Sequence, residues 1–358
     1  MTLEGRRLLV TGGCGFIGGA LVRRLVAAGA RVLALDKLTY AAAPEALAGL
    51  SDSPRYAFRR ADVCDAGALR AAFAAFLPEA VVHLAAETHV DRSIDAPADF
   101  VRTNVLGTAT LLDAALAYWQ GLPEAGRAAF RFLQVSTDEV FGSLPLAGGA
   151  VFRAGDAYDP GSPYAASKAA GDQLARAWHR TYGLPTLVCN GCNTYGPWQF
   201  PEKLVPTAIL AGLLGRPIPL YGSGANRRDW LHVADHAAAL CRILEAGTPG
   251  GTYLIAGGGA LANLELVRRL CRVLDEMQPA GAPHADLIAF VADRPAHDLR
   301  YEVDPAGLRG LGWQPRVSLE EGLRETVAWY RDHAGWWQAR LGAAGLVRRG
   351  LGPDTNGR

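Results

Sequence analysis

The stretch Thr11-Gly12-Gly13-Cys14-Gly15-Phe16-Ile17-Gly18 stands between an apolar run, residues 7 to 11, and a helical repeat, Phe16 to Ala28. No other feature restricts the fold as much. Gly12 permits a tight strand-to-helix turn, Gly15 lets backbone approach a pyrophosphate, and Gly18 allows the helix to pack closely on the sheet. Amides at the helix start, around Phe16 and Ile17, then face the phosphates. The helix ends at Gly29, and a second apolar run, Ala30 to Leu35, closes on Asp36, where a ribose diol would lie. The unit reads as a dinucleotide cradle. The Asp36 carboxylate would repel a second phosphate on the ribose and so favours NAD over NADP, while neighbouring Lys37 acts in the opposite sense.

The same rhythm continues. Strand patterns at Tyr56 to Arg59, Ala80 to Leu84, Phe130 to Ser136 and Thr186 to Asn190 alternate with helix patterns at Ala66 to Phe76, about Pro97 to Trp119, and Pro163 to Tyr182. Alternation of this kind predicts a parallel sheet covered on both faces, with right-handed connections. Asp62 ends the third strand pattern, before Val63, where an adenine could be read; a helix cap at Asp62 or Asp65 explains it equally well. After residue 190 the pattern breaks into Pro- and Gly-rich segments, with helix-like stretches at Val233 to Glu245 and Leu261 to Met277. The expected division is a cofactor domain over 1–190, to which later segments return, a substrate domain over 191–345, and a disordered tail over 346–358.

With 358 residues, half of them hydrophobic and a fifth charged, the chain has the balance of a soluble globular enzyme. A formal net charge of +1 offers no field for nucleic acid or a membrane surface. The first strand begins almost at once, and no apolar stretch approaches the roughly twenty residues needed to cross a bilayer, so the expected location is the cytoplasm. Six cysteines are scattered, with one CxxC spacing at Cys189 and Cys192, but no second CxxC or His pair accompanies it. Buried packing explains that pair better than redox or metal work, and no metal is expected. Of 36 basic residues only three are lysines, Lys37, Lys168 and Lys203. In an arginine-rich chain these could mark places that prefer a compact ammonium, or could be chance.

Tyr164 and Lys168 lie four apart in a helix pattern and share one face. A nearby ammonium and a positively charged nicotinamide would both lower the phenol's pKa, making Tyr164 a base. Thr137-Asp138-Glu139 follows the strand pattern Phe130 to Ser136, at the carboxyl edge where open parallel sheets place ligands. Adjacent carboxylates repel, so a closed cleft can hold one protonated and the other ionised, giving an acid and a base from similar groups. Without the preceding motifs, Thr137 and Asp138 would read as turn residues and Glu139 as a solvated charge.

The strings Gly12 to Gly18, Asp36 to Ala41, His83-Leu-Ala-Ala-Glu-Thr-His-Val-Asp-Arg-Ser-Ile94, Ser136 to Gly142, Tyr164-x-x-x-Lys168, Pro201 to Leu204, Arg228-Asp-Trp230 and Asp293 to Asp298 run in order over nearly the whole chain. Together they resemble the dTDP-glucose 4,6-dehydratase family of the extended short-chain dehydrogenase/reductases. The resemblance implies a Rossmann-type doubly wound parallel sheet with a smaller mixed α/β substrate-binding C-terminal domain, bound NAD, and a homodimer. It implies that Tyr164 takes the proton from the carbon 4 hydroxyl of the glucosyl ring and that Lys168 holds the nicotinamide ribose. Thr137 would bond the carbon 4 oxygen. Glu139 would remove the carbon 5 proton, and Asp138 would protonate the hydroxyl leaving carbon 6. Leu84, Ala85 and Ala86 would line the cofactor site together with the glycine turn, Asp36, Lys37, Asp62 and Val63. Thr88, Asn193, Lys203, Leu204, Pro219, Tyr221, Arg228, Asn263, Arg294 and His297 would contact the sugar nucleotide, dTDP-glucose or a relative such as a UDP-sugar.

The chain departs from the family pattern at Thr88, Phe141, Gly161, Ala165, Thr194 and Ala296, none of them a proposed catalytic group. A 4-epimerase or decarboxylase would use the same cofactor and Tyr164 without needing Asp138-Glu139. An NAD-binding redox sensor without turnover would need neither Tyr164 nor Lys168.

Overall fold

The computed structural model describes residues 2–341; the expected tail, 346–358, lies outside them. Strand β1 (Arg7–Thr11) leads into α1 (Phe16–Ala27), β2 (Arg31–Asp36), β3 (Tyr56–Arg60), α2 (Ala66–Phe76) and β4 (Ala80–His83). Helices α3 (Val90–Asp95), α4 (Pro97–Phe100), α5 (Gly107–Gln120) and α6 (Glu124–Ala129) come next. They lead to β5 (Arg131–Thr137), the long α7 (Pro163–Tyr182) and β6 (Thr186–Gly191). With β10 (Thr252–Ile255), which returns from much later in the chain, these strands form one parallel seven-stranded sheet in the order β10-β6-β5-β4-β1-β2-β3. The strand order reverses between β1 and β4, and a doubly wound sheet opens its crevice there, at the carboxyl ends.

Both faces of the sheet are covered, and the strands' two-residue period explains how. Leu8, Val10, Val32, Ala34 and Val82 point into one core with Leu21 and Leu25 of α1. Leu9, Leu33, Leu35 and Val81 point the other way, onto Leu69 and Phe73 of α2 and Leu111 of α5. Each such fully buried side chain contributes about 1.5–3 kcal/mol.

The expected single helix over about 97–119 is instead broken. Pro97 starts a new helix after α3, and residues 101–106 wind as a π-turn before Gly107 resumes the α form. The wide turn has a cause: Asn104 points inward, accepts from the Glu87 amide at 2.8 Å, and donates to the Glu87 carbonyl at 3.0 Å and the Ser167 hydroxyl at 2.8 Å. Gly107 sits so close to the α2 side that an added Cβ would lie 2.7 Å from Val63 Cγ2.

Beyond β6 the chain builds a second layer from β7 (Asn193–Tyr195), α8 (Leu204–Leu213), β8 (Ile218–Tyr221), β9 (Arg227–His232) and α9 (Val233–Ala246). After β10 come β11 (Ala260–Ala262), α10 (Asn263–Met277), β12 (Ile288–Val291), α11 (Ala306–Gly310), α12 (Leu319–Asp332) and α13 (Ala334–Leu341). Strands β11-β9-β7 and β12-β8 make two small sheets. A separate core of Val205, Ile209, Leu270, Leu274, Leu323, Val327 and Tyr330 holds α8, α10 and α12 together. Helix α9 returns to the large sheet and packs Leu240 and Leu244 into the core shared with α1.

Candidate active site

The glycine turn is a cradle that only glycine can form. Gly12 has φ +67°, and a Cβ on it would stand 2.6 Å from the Ala85 amide nitrogen; a Cβ on Gly18 would stand 2.0 Å from the Gly12 carbonyl oxygen. The latter contact places the first turn of α1 directly on the backbone of the loop. From this turn a cavity of about 350 Å³ runs along the carboxyl ends of the strands, lined by Gly15, Phe16, Ile17, Asp36, Lys37, Val63, Leu84, Ala85, Ala86 and Thr88, as far as Tyr164 and Lys168. Its size and largely apolar wall suit a dinucleotide.

Asp36 meets the loop amides: Oδ2 accepts from Cys14 at 3.0 Å and Oδ1 from Leu38 at 2.8 Å. Lys37 is turned toward carboxylates of the protein itself, with Nζ 3.3 Å from Glu87 and 3.9 Å from Asp62. Asp62 lies outside the cavity wall. Its Oδ1 accepts from the Cys64 amide at 2.9 Å, while Asp65 caps α2 through the Ala68 amide.

The inner end of the cavity joins two elements. Strand β5 ends at Thr137, whose hydroxyl caps the short turn Asp138–Phe141 by accepting from the Glu139 amide at 3.3 Å. Helix α7 starts at Pro163, capped by Ser162, and brings Tyr164 and Lys168 to the same wall. Asp138 is fully buried; its Oδ1 accepts from the Thr137 hydroxyl at 3.3 Å and its Oδ2 has no hydrogen-bond partner among the described residues. Burial, then the Glu139 charge, push the Asp138 carboxyl well above the usual carboxylate range. Burial also raises Glu139, but Arg294, Arg228 and Lys203 pull it back. The neighbours thus receive different environments: Asp138 is driven toward the neutral acid, Glu139 is held nearer the carboxylate.

The phenol of Tyr164 differs from its expected state. Burial and then Glu139 push its pKa up, against a hydrogen bond from Thr137. The Lys168 ammonium does not reach the phenol as a partner; its Nζ donates to the Val135 carbonyl at 2.6 Å. In the protein alone Tyr164 is therefore a neutral phenol.

A second cavity, about 440 Å³, lies on the other side of Glu139. Asn193, Lys203, Leu204, Pro219, Tyr221, Arg228, Asn263, Arg294 and His297 line it, and Glu139, Asn193, Lys203 and Leu204 border both cavities. Thr88 borders the first only, but its carbonyl accepts from Lys203 Nζ at 2.8 Å. Arg228 is committed to the scaffold, donating to the carbonyls of Arg227 and Asp298 and lying 4.1 Å over the Tyr301 ring. Arg294 donates from Nη1 to Asp91 Oδ1 at 3.2 Å.

The residues that sequence reading passed over are mainly carboxylates holding others in place. Asp91 accepts from Arg294 and, at 2.8 Å, from the Tyr221 hydroxyl; its place inside the His83 to Ile94 string was the available signal. Asp293 holds His297 Nδ1 at 2.6 Å. Cys189 and Cys192 are free, buried thiols raised by burial. Among the described residues no group of three His, Cys, Asp or Glu could hold a metal ion, and no helix is long and apolar enough to cross a membrane.

This arrangement has known counterparts. The family model for GDP-mannose 4,6 dehydratase matches residues 9–326. A dTDP-glucose 4,6-dehydratase of Neisseria meningitidis serogroup B is 51% identical over 356 residues, 97% of this chain and 99% of that protein. The crystal structure of a dTDP-glucose 4,6-dehydratase from Streptomyces venezuelae with NAD and TYD bound has a TM-score of 0.84 at 43% identity, covering 93% of this chain and 99% of that one. A Thermus thermophilus UDP-glucose 4-epimerase complex with NAD has a TM-score of 0.80 at 30% identity, covering 91% and 99%. With identity near one half along almost its whole length, the chain belongs to the sugar-nucleotide 4,6-dehydratases covered by that family model and, among them, to the dTDP-glucose 4,6-dehydratase family.

Proposed function

We propose that this chain converts dTDP-glucose to dTDP-4-keto-6-deoxyglucose, an NAD-dependent carbon–oxygen lyase reaction that leaves the cofactor as it began. The observation that carries the reading is the unequal carboxylate pair Asp138 and Glu139, set where the two cavities meet and beside Tyr164 and Lys168. A 4-epimerase needs the tyrosine and lysine but has no task for that pair.

Gly12, Gly15, Gly18 and Asp36 would hold NAD at one end and Tyr164 and Lys168 at the other. When bound, NAD supplies a hydride acceptor and then donor, and a positive ring that favours the Tyr164 phenolate. Tyr164 takes the proton from the carbon 4 hydroxyl, and the Thr137 hydroxyl steadies the oxygen that becomes a ketone. That ketone acidifies carbon 5. Glu139, on which three cations oppose the upward push of burial, removes the carbon 5 proton while Asp138, driven toward the neutral acid by burial, gives its proton to the departing carbon 6 hydroxyl. Water leaves, carbon 6 becomes a methyl group, and Glu139 returns its proton to carbon 5. Arg294, with Lys203, suits a diphosphate, and Asn193, Pro219, Tyr221, Arg228, Asn263, His297, Thr88 and Leu204 shape the rest of the sugar-nucleotide site.

We assign residues up to 190, with 233–255 and 306–313 returning, to the cofactor lobe, and the other described residues to the substrate lobe. The working form we propose is a cytoplasmic homodimer; exposed Val101 and Leu106 on the outer side of the π-turn support an apolar contact face.

Incubation with dTDP-glucose, and no added reductant, should give the 4-keto-6-deoxy product, with deuterium placed on carbon 4 recovered in the new methyl. Unchanged sugar, or only its 4-epimer, rejects the reading. Glu139→Gln should still bind NAD and oxidise carbon 4 yet stop before water is lost; wild-type turnover by that variant would remove Glu139 from its role.

A further inference from the structure

Helix α7 carries Tyr164, Lys168, Asp172 and Arg176 at four-residue spacing, so all four share one face. The proposed reaction uses only the first two. Asp172, one turn beyond Lys168, is fully buried. Its Oδ2 accepts from the Tyr158 hydroxyl at 3.0 Å and from Asn190 Nδ2 at 2.9 Å. Asn190 is fully buried too, and the same nitrogen donates to the backbone carbonyl of Thr137 at 3.1 Å. One carboxylate therefore ties the helix bearing Tyr164 and Lys168 to the strand end bearing Thr137, Asp138 and Glu139. From the outer side, Arg176 Nη2 donates to the Tyr158 hydroxyl at 2.7 Å and its guanidinium covers the Tyr158 ring at 4.8 Å.

Charge adds a second, independent link. A buried ammonium is costly unless compensated. The groups acting on Lys168 are Asp172 on its own helix, Cys189 from β6 and His83 from β4; Tyr164, Asp138 and Glu139 line the same cavity. Burial pushes Cys189 up to about 12 and His83 down to about 3, leaving these two uncharged near neutral pH, and pushes Asp138 toward the neutral acid. Burial opposes the charge on Asp172, while Lys168, Ser136, Asn190 and Tyr158 all favour it.

Resting on the dehydratase reading, we propose that Asp172 is a positioning residue of the reaction: it fixes the Asn190 amide that locates Thr137, and it is the buried counter-charge that lets Lys168 serve as an ammonium beside Tyr164.

The test compares Asp172→Asn with Asp172→Glu in the NAD-loaded enzyme, following kcat and KM for dTDP-glucose across pH. Asp172→Asn keeps the shape and removes the charge. Its kcat should fall tenfold or more with KM little changed, and the alkaline limb of kcat should move down by about one pH unit, because Lys168 then loses its proton sooner. Asp172→Glu keeps the charge and disturbs the Asn190 contact, so kcat should fall while the limb stays in place. A lowered kcat in Asp172→Asn with an unmoved limb, or no change at all, overturns the proposal. If Asp172→Asn does not fold, nitrogen-15 lysine NMR of the wild-type enzyme decides, since the chain has three lysines to resolve. Lys168 should remain an ammonium across the activity plateau, and a neutral amine there overturns the proposal. Failure of the wild type to turn over dTDP-glucose would instead remove the dehydratase reading itself.

Discussion

Replacing Asp138 by Asn separates chemistry from stability in opposite directions. The side chain is fully buried, its Oδ2 has no hydrogen-bond partner among the described residues, and burial and Glu139 both drive it toward the neutral acid. Asparagine is close in size to that neutral form and cannot give a proton. A positioned general acid is worth about 10²- to 10⁴-fold in rate, so kcat should drop by that range, about 3–5 kcal/mol of activation free energy at 1.36 kcal/mol per tenfold. Carbon 4 oxidation should survive, and carbon 5 should still exchange its hydrogen with solvent, because Glu139 is untouched. Stability should move the other way. The folded pKa of Asp138 lies above the unfolded value, so the folded state binds this proton more tightly than the unfolded chain does. Whatever stability the protonated group lends is complete below the unfolded pKa near 4 and disappears as pH rises through the folded value. The Asp138→Asn variant loses nothing over that interval. Thermal melting should therefore show the variant gaining on the wild type as pH increases from 4 upward. Wild-type kcat would refute the acid role, and a melting difference independent of pH would refute the electrostatic account.

Gly18→Ala forces a methyl to within 2.0 Å of the Gly12 carbonyl; overpacking of this kind costs about 1–3 kcal/mol, and the protein should purify with little bound NAD and melt at a lower temperature, a full NAD complement counting against the cradle. Asp91→Asn weakens the charge-assisted bond to Arg294 and the partner of Tyr221; such bonds are worth about 1.5–3 kcal/mol, so KM for dTDP-glucose should rise roughly 10- to 100-fold with a smaller effect on kcat, and an unchanged KM in steady-state kinetics would remove Asp91 from the substrate cavity's support.

The large sheet was readable because most of its strands obey a local rule: a buried parallel strand is an apolar run, and β1 to β6, the half-exposed edge strand β3 included, appear in the sequence within a residue or two of their observed ends. The region beyond β6 was harder to read, for identifiable reasons. Helix α8, Leu204 to Leu213, is apolar on nearly every side and has Pro206 in its first turn, so it carries no 3.6-residue stripe to detect. Helix α12 was passed over although a local signal was there, since Ser318 and Glu321 form a reciprocal capping box. The π-turn at 101–106 could not be seen at all, because it depends on Asn104 reaching Glu87 and Ser167 from distant parts of the chain. At the site, motif residues were found where a reacting group must occur at fixed spacing. Asp91, which holds Arg294, was missed because its partner is remote: the two lie about two hundred residues apart in sequence.

That asymmetry also explains how the chain gives two adjacent carboxylates different electrostatic surroundings. Residues 138 and 139 share a backbone turn, so sequence and burial alone would treat them alike, and both are indeed raised by burial. The difference comes from the second layer, which brings Lys203 from the start of α8, Arg228 from β9 and Arg294 from beyond β12 toward Glu139. At Asp138 the Arg228 charge is set against Glu139 and Asp229, which push the carboxyl further up. The cations that suit a diphosphate are thus the same ones that oppose the upward push of burial on Glu139. It follows that substitutions meant to change the nucleotide, such as those at Lys203 or Arg294, should also alter the pH dependence of water loss, and that substrate choice and dehydration in this fold are not separable properties.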